Sequence, residues 1–180
     1  MAAPTPPPPN RAPPPLPPLK ETAAVTLLSL LGVGAIAGLH FSLPALRASG
    51  LGLAFGSLAA TAALIFAAPA APLAQPRNVI GGHLVSALIG VAARRVIADT
   101  GAPGALPAAV AAAVALSVGA MGALGVQHPA GGGTAFLAVA EGSVAAMGWL
   151  FVPSVVLGAG VLVGVCLLGN LVGRPYPQWW

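Results

Sequence analysis

Four apolar stretches of this chain are each long enough to cross a lipid bilayer. They run from Thr22 to Leu43, Val79 to Ala98, Leu106 to Val126 and Trp149 to Val172. An α-helix needs about 20 predominantly apolar residues to cover the hydrocarbon core. Three stretches contain no formal charge, and the second is charged only at Arg94 and Arg95, whose long side chains can reach the membrane surface. The sequence therefore predicts an all-α, polytopic helical membrane protein with four full spans.

The composition of the whole chain agrees with a lipid-embedded protein. Of its 180 residues 57% are hydrophobic and 6% are charged, whereas soluble domains average about 25% charged residues. The net charge of +4 comes from basic residues that are scattered along the chain, so it does not indicate a nucleic-acid partner. The single cysteine, Cys166, excludes an intrachain disulfide and a cysteine-built metal site. We expect the lipid bilayer as a partner and no cofactor.

A proline-rich tail over residues 1–20 precedes the predicted membrane domain at residues 21–180. Its sequence, MAAPTPPPPNRAPPPLPPL and one further residue, cannot build a core and favours extended polyproline II or disorder. We expect a spacer, with a ligand for an SH3-type domain as the alternative. The following apolar stretch begins only at Thr22 and continues to full span length, which does not fit a cleaved signal peptide.

Two further apolar stretches run from Gly50 to Gln75 and from His128 to Glu141. Both have Gly-rich beginnings, and neither ends as a regular membrane span does. Irregular backbone at membrane depth is tolerated only where protein or a water-filled cavity satisfies it. We therefore predict two short, Gly-initiated, re-entrant helices. Re-entry places five basic residues on one side of the membrane and two on the other, against four and three for full crossing, so the positive-inside rule favours it. The first stretch is long enough to cross, so six spans remain the alternative.

The two short stretches match each other. Thr61-Ala62 is followed by Leu64, as Thr134-Ala135 is followed by Leu137, and LIGV from Leu88 matches LVGV from Leu162 at nearly the same separation. The chain is thus predicted to contain two weak repeats of span, short helix and span.

Glycine pairs at helical spacing indicate where spans can approach one another closely. GAIAG from Gly34 to Gly38 and GVLVG from Gly160 to Gly164 are patterns of this kind. We expect their glycines to form packing surfaces and not binding sites.

Three segments resemble the HPP family of integral membrane proteins, which is named for a His-Pro-Pro motif. They are APLAQPRNVIGGHLVSALIGV (71–91), HPAGGGTA (128–135) and RPYPQWW (174–180). The resemblance covers nearly everything from Thr22 to Trp180 and implies four membrane spans. Members from cyanobacteria and plastids are associated with nitrite transport, so the resemblance implies a bacterial inner membrane or a plastid inner envelope. Ala130 replaces the second proline of the motif; either that position only rigidifies the loop, or the gate or the activity is altered.

The residues of the motif suit a small anion. Glycines that open a helix expose backbone N–H groups at an end that carries partial positive charge. Thr134 would add a hydroxyl and His128 a donor whose charge responds to pH near neutrality, while Pro129 would fix the angle at which the chain enters the helix. Matching roles are expected in the first copy. The candidate substrate-binding residues are His128, Pro129, Gly131, Gly132, Gly133, Thr134, His83, Arg77, Asn78, Gly56, Ser57 and Thr61.

Several candidates also have a purely structural interpretation. His128 at a helix start can cap exposed N–H groups, and Asn78 is a good N-cap for the second span. Arg77 can anchor a loop, and His83 can bond to a neighbouring helix. For an ionisable side chain inside a membrane, function is still the default expectation.

The sequence favours a transporter over an enzyme. Ser86 with His83 at i, i+3 spacing is the nearest nucleophile and base, but no carboxylate nearby orients that histidine. The histidines at 40, 83 and 128 lie in separate segments, which predicts no metal site. We expect membrane transport of a small inorganic anion, with nitrite implied by the resemblance. A non-transporting membrane scaffold or sensor subunit is the alternative, and a homo-oligomer is expected because 180 residues provide few helices to enclose a pathway.

Overall fold

The computed structural model describes residues 15–44, 48, 52–53 and 56–180, and those residues contain helices and no strand. The proline-rich tail as far as residue 14 lies outside the described residues. So do Arg11 and Arg47, two of the basic residues that were counted for the positive-inside rule. Short 3-10 turns connect several of the helices. The α-helices described in full are α1 (Leu19–Ser42), α2 (Gly56–Ala67), α3 (Pro76–Val96), α4 (Ala105–Leu124), α5 (Pro129–Ala140), α6 (Gly142–Met147) and α7 (Phe151–Leu168).

Four helical segments are long and apolar enough to cross a membrane, as the sequence predicts. They are Leu19–Ser42, Pro76–Thr100, Ala105–Leu124 and Gly142–Leu171. The last begins before the predicted Trp149, because α6 continues through a bend at Gly148 (φ 53°) into α7. Large apolar side chains cover the outer surface, which is the arrangement that lipid requires.

The two shorter apolar helices, α2 and α5, have 12 residues each. At about 1.5 Å per residue, each is about 18 Å long, well short of a hydrocarbon core about 30 Å thick. The combination of four long and two short helices is therefore confirmed. That the short helices leave on the side they enter stays a prediction.

Proline and glycine set the ends of the helices around the centre of the molecule. Pro76 and Pro129 occupy the first position of α3 and α5, where a backbone N–H would have no partner within the helix. Gly125 ends α4 in the left-handed conformation, with φ 65°. The chain then reaches α5 in three residues, which places His128 directly against α3.

Helix α3 lies at the centre and packs against α4, α5 and α7. Its contact with α5 depends on residues that lack a side chain. A Cβ atom on Gly82 would lie 2.6 Å from the Cβ of His128, and one on Gly90 would lie 2.7 Å from the Cβ of Ala138. At the far end, Nη1 of Arg94 donates a hydrogen bond to the carbonyl of Val139, 2.9 Å away. The two helices are thus held together along their whole length.

The predicted packing surfaces at Gly34–Gly38 and Gly160–Gly164 are wrong for contacts within this chain. A Cβ atom built on any of the four outer glycines meets no described atom within 4 Å. The glycines that do pack are Gly32, against the ring of Phe66, and Gly158, against Leu58. The faces of α1 and α7 that pack are those that contact large side chains of α2. Glycine spacing alone does not show which faces these are.

Replacing Gly82 by Ala should destabilise the protein. The added Cβ would collide with the Cβ of His128 and press on the carbonyl of Val126 at 3.1 Å, and overpacking of this kind costs about 1–3 kcal/mol. The matched control is Gly34→Ala, where the new methyl group meets no described atom within 4 Å and alanine favours the helix. The free energy of unfolding of both variants is measured in mixed micelles with increasing SDS. Equal stability of the two variants would contradict the packing account.

Candidate functional site

Four polar side chains meet in the apolar interior where α2, α3 and α5 come together. They are Thr61 of α2, His83 of α3, His128 just before α5 and Thr134 of α5, and each is 0% exposed. Four of the twelve candidates from the sequence therefore form one cluster, which we call the His–Thr cluster. The cluster joins residues that are as much as 73 positions apart in the chain.

Hydrogen bonds connect the His–Thr cluster in a single line. Thr134 Oγ1 lies 2.7 Å from His83 Nδ1, and His83 Nε2 lies 2.7 Å from Thr61 Oγ1. Thr61 Oγ1 is also 2.9 Å from His128 Nε2, and His128 Nδ1 lies 3.0 Å from the backbone carbonyl of Leu73. Both nitrogens of both imidazoles thus have a partner.

The carbonyl at the end of this line fixes the position of every proton in it. Leu73 O can only accept, so Nδ1 of His128 carries a proton and, in a neutral ring, Nε2 accepts. Thr61 must then donate to His128, so His83 donates to Thr61 through Nε2. The remaining nitrogen of His83 accepts from Thr134. With neutral rings, only one direction of donation satisfies all the nitrogens.

The two threonines occupy matching places in the two short helices. Each is the sixth residue of a 12-residue helix, and each hydroxyl also lies near the carbonyl four residues back, at 3.1 Å for Thr61 and 3.3 Å for Thr134. This agrees with the repeat that the sequence predicts. The two histidines have no such symmetry, because they come from α3 and from the approach to α5.

A cleft of about 470 Å³ runs between α2 and α5, and three of its lining residues, Ala60, Pro129 and Gly133, are chain neighbours of members of the His–Thr cluster. Ser57, at the start of α2, is 4% exposed, and its Oγ has no hydrogen-bond partner among the described residues. Among the described residues, no formally charged side chain contributes to the wall. The lining residues are Gly56, Ser57, Ala60, Leu64, Pro129, Ala130, Gly133, Phe136 and Leu137.

The glycines of α5 differ in position. Gly133 lines the cleft, whereas Gly131 faces the Ser86 hydroxyl and the Met121 sulfur, and its N–H donates to His128 O at 2.9 Å. The nearest side-chain atom to a Cβ on Gly132 would be Val114 Cγ1 at 4.0 Å. Gly131 thus brings α5 close to its neighbours, and Gly133 keeps the cleft open.

Ala130 has a further consequence for the cleft. The N–H groups of Gly132 and Gly133 fall within the i→i−4 pattern of the helix, and Pro129 has no N–H. Ala130 therefore carries the N–H that helical pairing leaves free in this first turn. The second proline of the family motif would lack this donor.

The remaining candidates lie outside the cleft. Nη2 of Arg77 is 3.4 Å from the carbonyl of Leu124, and Nδ2 of Asn78 is 2.8 Å from the carbonyl of Gln127. Asn78 lies inside α3, whose N-cap is Gln75, so the predicted capping role is wrong. Arg77 and Asn78 hold the loop that leads to His128.

The capping alternative for His128 is also wrong. His128 occupies the N-cap position of α5 with extended backbone (φ −143°), but its side chain makes no capping hydrogen bond. Its ring nitrogens bond to Thr61 and Leu73 instead.

The segments 71–75 and 174–178 are joined by hydrogen bonds that the sequence does not suggest. Tyr176 is 2% exposed, and its hydroxyl donates to Ala74 O at 3.0 Å. Gln75 Oε1 accepts from the N–H of Gln178 at 2.8 Å, and Arg174 donates to Phe66 O near the end of α2, also at 2.8 Å. Arg174 and Tyr176 therefore have hydrogen-bond partners within the chain. Only the Arg174 interaction had a sequence signal, as a basic residue suits a helix C-terminus.

Ser86 does not bond to His83. Its hydroxyl donates to the sulfur of Met121 at 3.6 Å, while both nitrogens of His83 are engaged by threonines. Within the described part of the chain, no group of three or more His, Cys, Asp or Glu side chains is placed to hold a metal ion.

Replacing Gln75 by Ala should loosen the support of the site. Gln75 is 0% exposed and donates to the carbonyls of Pro69 and Ala71, both at 2.9 Å, besides accepting from Gln178. Leaving these buried groups unpaired should lower the free energy of unfolding by about 2–4 kcal/mol. Gln178→Ala is the control, because it removes only an exposed side-chain hydrogen bond and keeps the backbone N–H. Comparable losses in the two variants would contradict this role.

Comparisons with known proteins agree with this architecture. The family model for the transmembrane region of HPP proteins matches residues 14–177. A transmembrane protein of Dictyostelium discoideum is 37% identical over 169 residues, which are 92% of this chain and 58% of that protein. A second one from the same organism is 36% identical over 165 residues, 90% of this chain and 52% of that protein.

The chain thus spans about half the length of the curated relatives it matches. No solved structure matches it significantly. Its helices, its buried histidines and these matches lead to one conclusion: the chain belongs to the HPP family of integral, multi-pass membrane proteins.

Proposed function

We propose that this protein carries a small inorganic anion across the membrane, with nitrite as the substrate that its family resemblance suggests. The observation that carries the proposal is the cleft between α2 and α5, which Ser57 lines; the hydroxyl of Ser57 is buried and has no hydrogen-bond partner among the described residues. A buried hydroxyl without a partner costs free energy, and a bound anion would accept a hydrogen bond from it.

The electrostatics of the cleft suit an anion. Two helices begin at its wall, and a helix N-terminus carries about half a positive charge. The free N–H of Ala130 and the hydroxyl of Ser57 are the donors at this end. Both are neutral, so the attraction is moderate, and a transported ion must also leave.

The size and shape of the cleft also fit a small substrate. About 470 Å³ is ample for a three-atom anion with part of its hydration shell. The side chains of Leu64, Phe136 and Leu137 also line the cleft and provide no hydrogen bonds to a larger polar molecule. A Cβ on Gly133 would lie 3.7 Å from the Cβ of Ser57, so any larger side chain there would enter the space an ion needs.

The membrane and the assembly belong to the same proposal. We propose a bacterial inner membrane or a plastid inner envelope as its location and a homo-oligomer as its assembly. A non-transporting scaffold or sensor subunit remains the alternative, and an uptake assay separates it from a transporter.

Purified protein in liposomes should take up nitrite faster than protein-free vesicles do. Filling the cleft by Gly133→Val should reduce the protein-dependent rate at least tenfold, because the branched side chain occupies the space beside Ser57. The matched control is Gly119→Val in α4, which adds the same side chain where a Cβ meets no described atom within 4 Å.

The measurement is the initial rate of nitrite uptake at equal amounts of inserted protein. A wild-type rate no higher than that of empty vesicles, for nitrite and for nitrate, would overturn the transport proposal and leave the scaffold alternative. Equal rates for Gly133→Val and Gly119→Val would remove the cleft from the pathway.

A further inference from the structure

We propose that the His–Thr cluster binds one transferable proton and that this proton travels with the anion, so that transport is electroneutral proton–anion symport. The proposal rests on the proposed transport function and adds its coupling ion. It follows from the hydrogen bonds among Thr61, His83, His128 and Thr134 and from the absence of a counter-charge around them in the described structure.

The cluster can accept one more proton without losing a hydrogen bond at the imidazole. If His128 gains a proton on Nε2, that nitrogen donates to Thr61 Oγ1. The hydroxyl of Thr61 then turns its own proton to the carbonyl of Ser57, which lies 3.1 Å away. Hydroxyl protons rotate freely, so this exchange needs no movement of heavy atoms.

The same exchange is available at the other imidazole. If His83 gains a proton on Nδ1, it donates to Thr134 Oγ1, and that hydroxyl turns to the carbonyl of Ala130 at 3.3 Å. Each threonine thus has one partner for the neutral state and one for the charged state.

The proton and the anion are coupled through shared residues. Ser57 and Ala130, whose carbonyls receive the hydroxyl protons, both line the cleft proposed for the anion. The donor groups of the anion site and the acceptor groups of the proton site therefore belong to the same two helix turns.

No described side chain compensates the added charge. Helices α2, α4 and α5 contain no ionisable residue, and in α7 the thiol of Cys166 bonds to Ile65 O. A buried, unpaired charge is costly, so the proton is stable in the cluster when an anion occupies the cleft. The charged or titratable groups on the other packed elements are bonded elsewhere or lie near helix ends: Arg77, Arg94, Arg95, Asp99, Glu141, Lys20, Glu21, His40, Arg174 and Tyr176.

The stoichiometry is one proton for each anion. The ring centroids of His83 and His128 are 5.1 Å apart, and both rings share Thr61. A second positive charge at this distance would be repelled by the first. One proton and one monovalent anion carry no net charge across the membrane.

The test is nitrite uptake into proteoliposomes under separately controlled driving forces, with the rate of protein-free vesicles subtracted. An inward acid gradient of one pH unit should drive about tenfold accumulation. Changing the membrane potential with potassium and valinomycin should leave the initial rate unchanged. Uptake that follows the potential and ignores the pH gradient would overturn proton coupling while the transport proposal stands; no protein-dependent uptake under any condition would overturn both.

Variants of Thr61 separate coupling from folding. Thr61→Val keeps the shape and removes the hydroxyl between the two imidazoles, so the pH-driven rate should fall at least tenfold, and Thr61→Ser should restore it. Ser86→Ala removes another buried hydroxyl of this region, outside the cluster, and serves as the control. A Thr61→Val protein that retains full pH-driven uptake would overturn the role of the cluster.

If the Thr61→Val variant does not insert into liposomes, a direct measurement of proton uptake by the wild-type protein tests the proposal instead. Adding nitrite to wild-type protein in weakly buffered detergent solution should remove about one proton per bound anion from the solution, as a pH-sensitive dye reports. Nitrite binding without proton uptake would overturn the proposal.

Discussion

A buried polar group must find a partner inside a protein surrounded by lipid, and this requirement organises the centre of the molecule. Two imidazoles and two hydroxyls lie at 0% exposure among apolar helices, where water cannot satisfy them. These groups bond to one another in a line of hydrogen bonds that ends on the carbonyl of Leu73. Because the last group can only accept, the line has one direction when both rings are neutral.

Glycine makes that line geometrically feasible. His128 reaches the cluster because Gly82 leaves room for its Cβ, and α5 reaches α3 because Gly90 and Gly131 have no side chains. The carbonyl of Leu73 is held beside Ala74 and Gln75, which are bonded to Tyr176 and Gln178 of the C-terminal segment. The segments that resemble the HPP family are therefore parts of one connected structure.

Sequence reasoning predicted the fold more completely than the site. Length and hydropathy predict the four spans and the two short helices, because a bilayer of fixed thickness constrains them directly. The match of Thr61 with Thr134 also predicts their equivalent positions. Which glycines pack was predicted wrongly at Gly34 and Gly160, because the packed face depends on large side chains from another helix.

Within the site, residue types were predicted and their partners were not. A histidine before a glycine-opened helix looks like a cap or a ligand, and only the tertiary contact with Thr61 and Leu73 gives it another role. Asn78 has the residue type of an N-cap, but Pro76 starts α3 earlier and leaves Asn78 inside it. Long-range pairs such as Tyr176 and Ala74 leave no periodic signal in the chain.

The direction of the hydrogen-bond line is the central claim, and nitrogen NMR of histidine-labelled protein in bilayers tests it most directly. The ring nitrogens report which tautomer each imidazole adopts, and single His→Gln variants assign the signals of the three histidines. The structure requires a proton on Nδ1 of His128 and on Nε2 of His83 in the anion-free protein. The same tautomer for both rings would contradict this account.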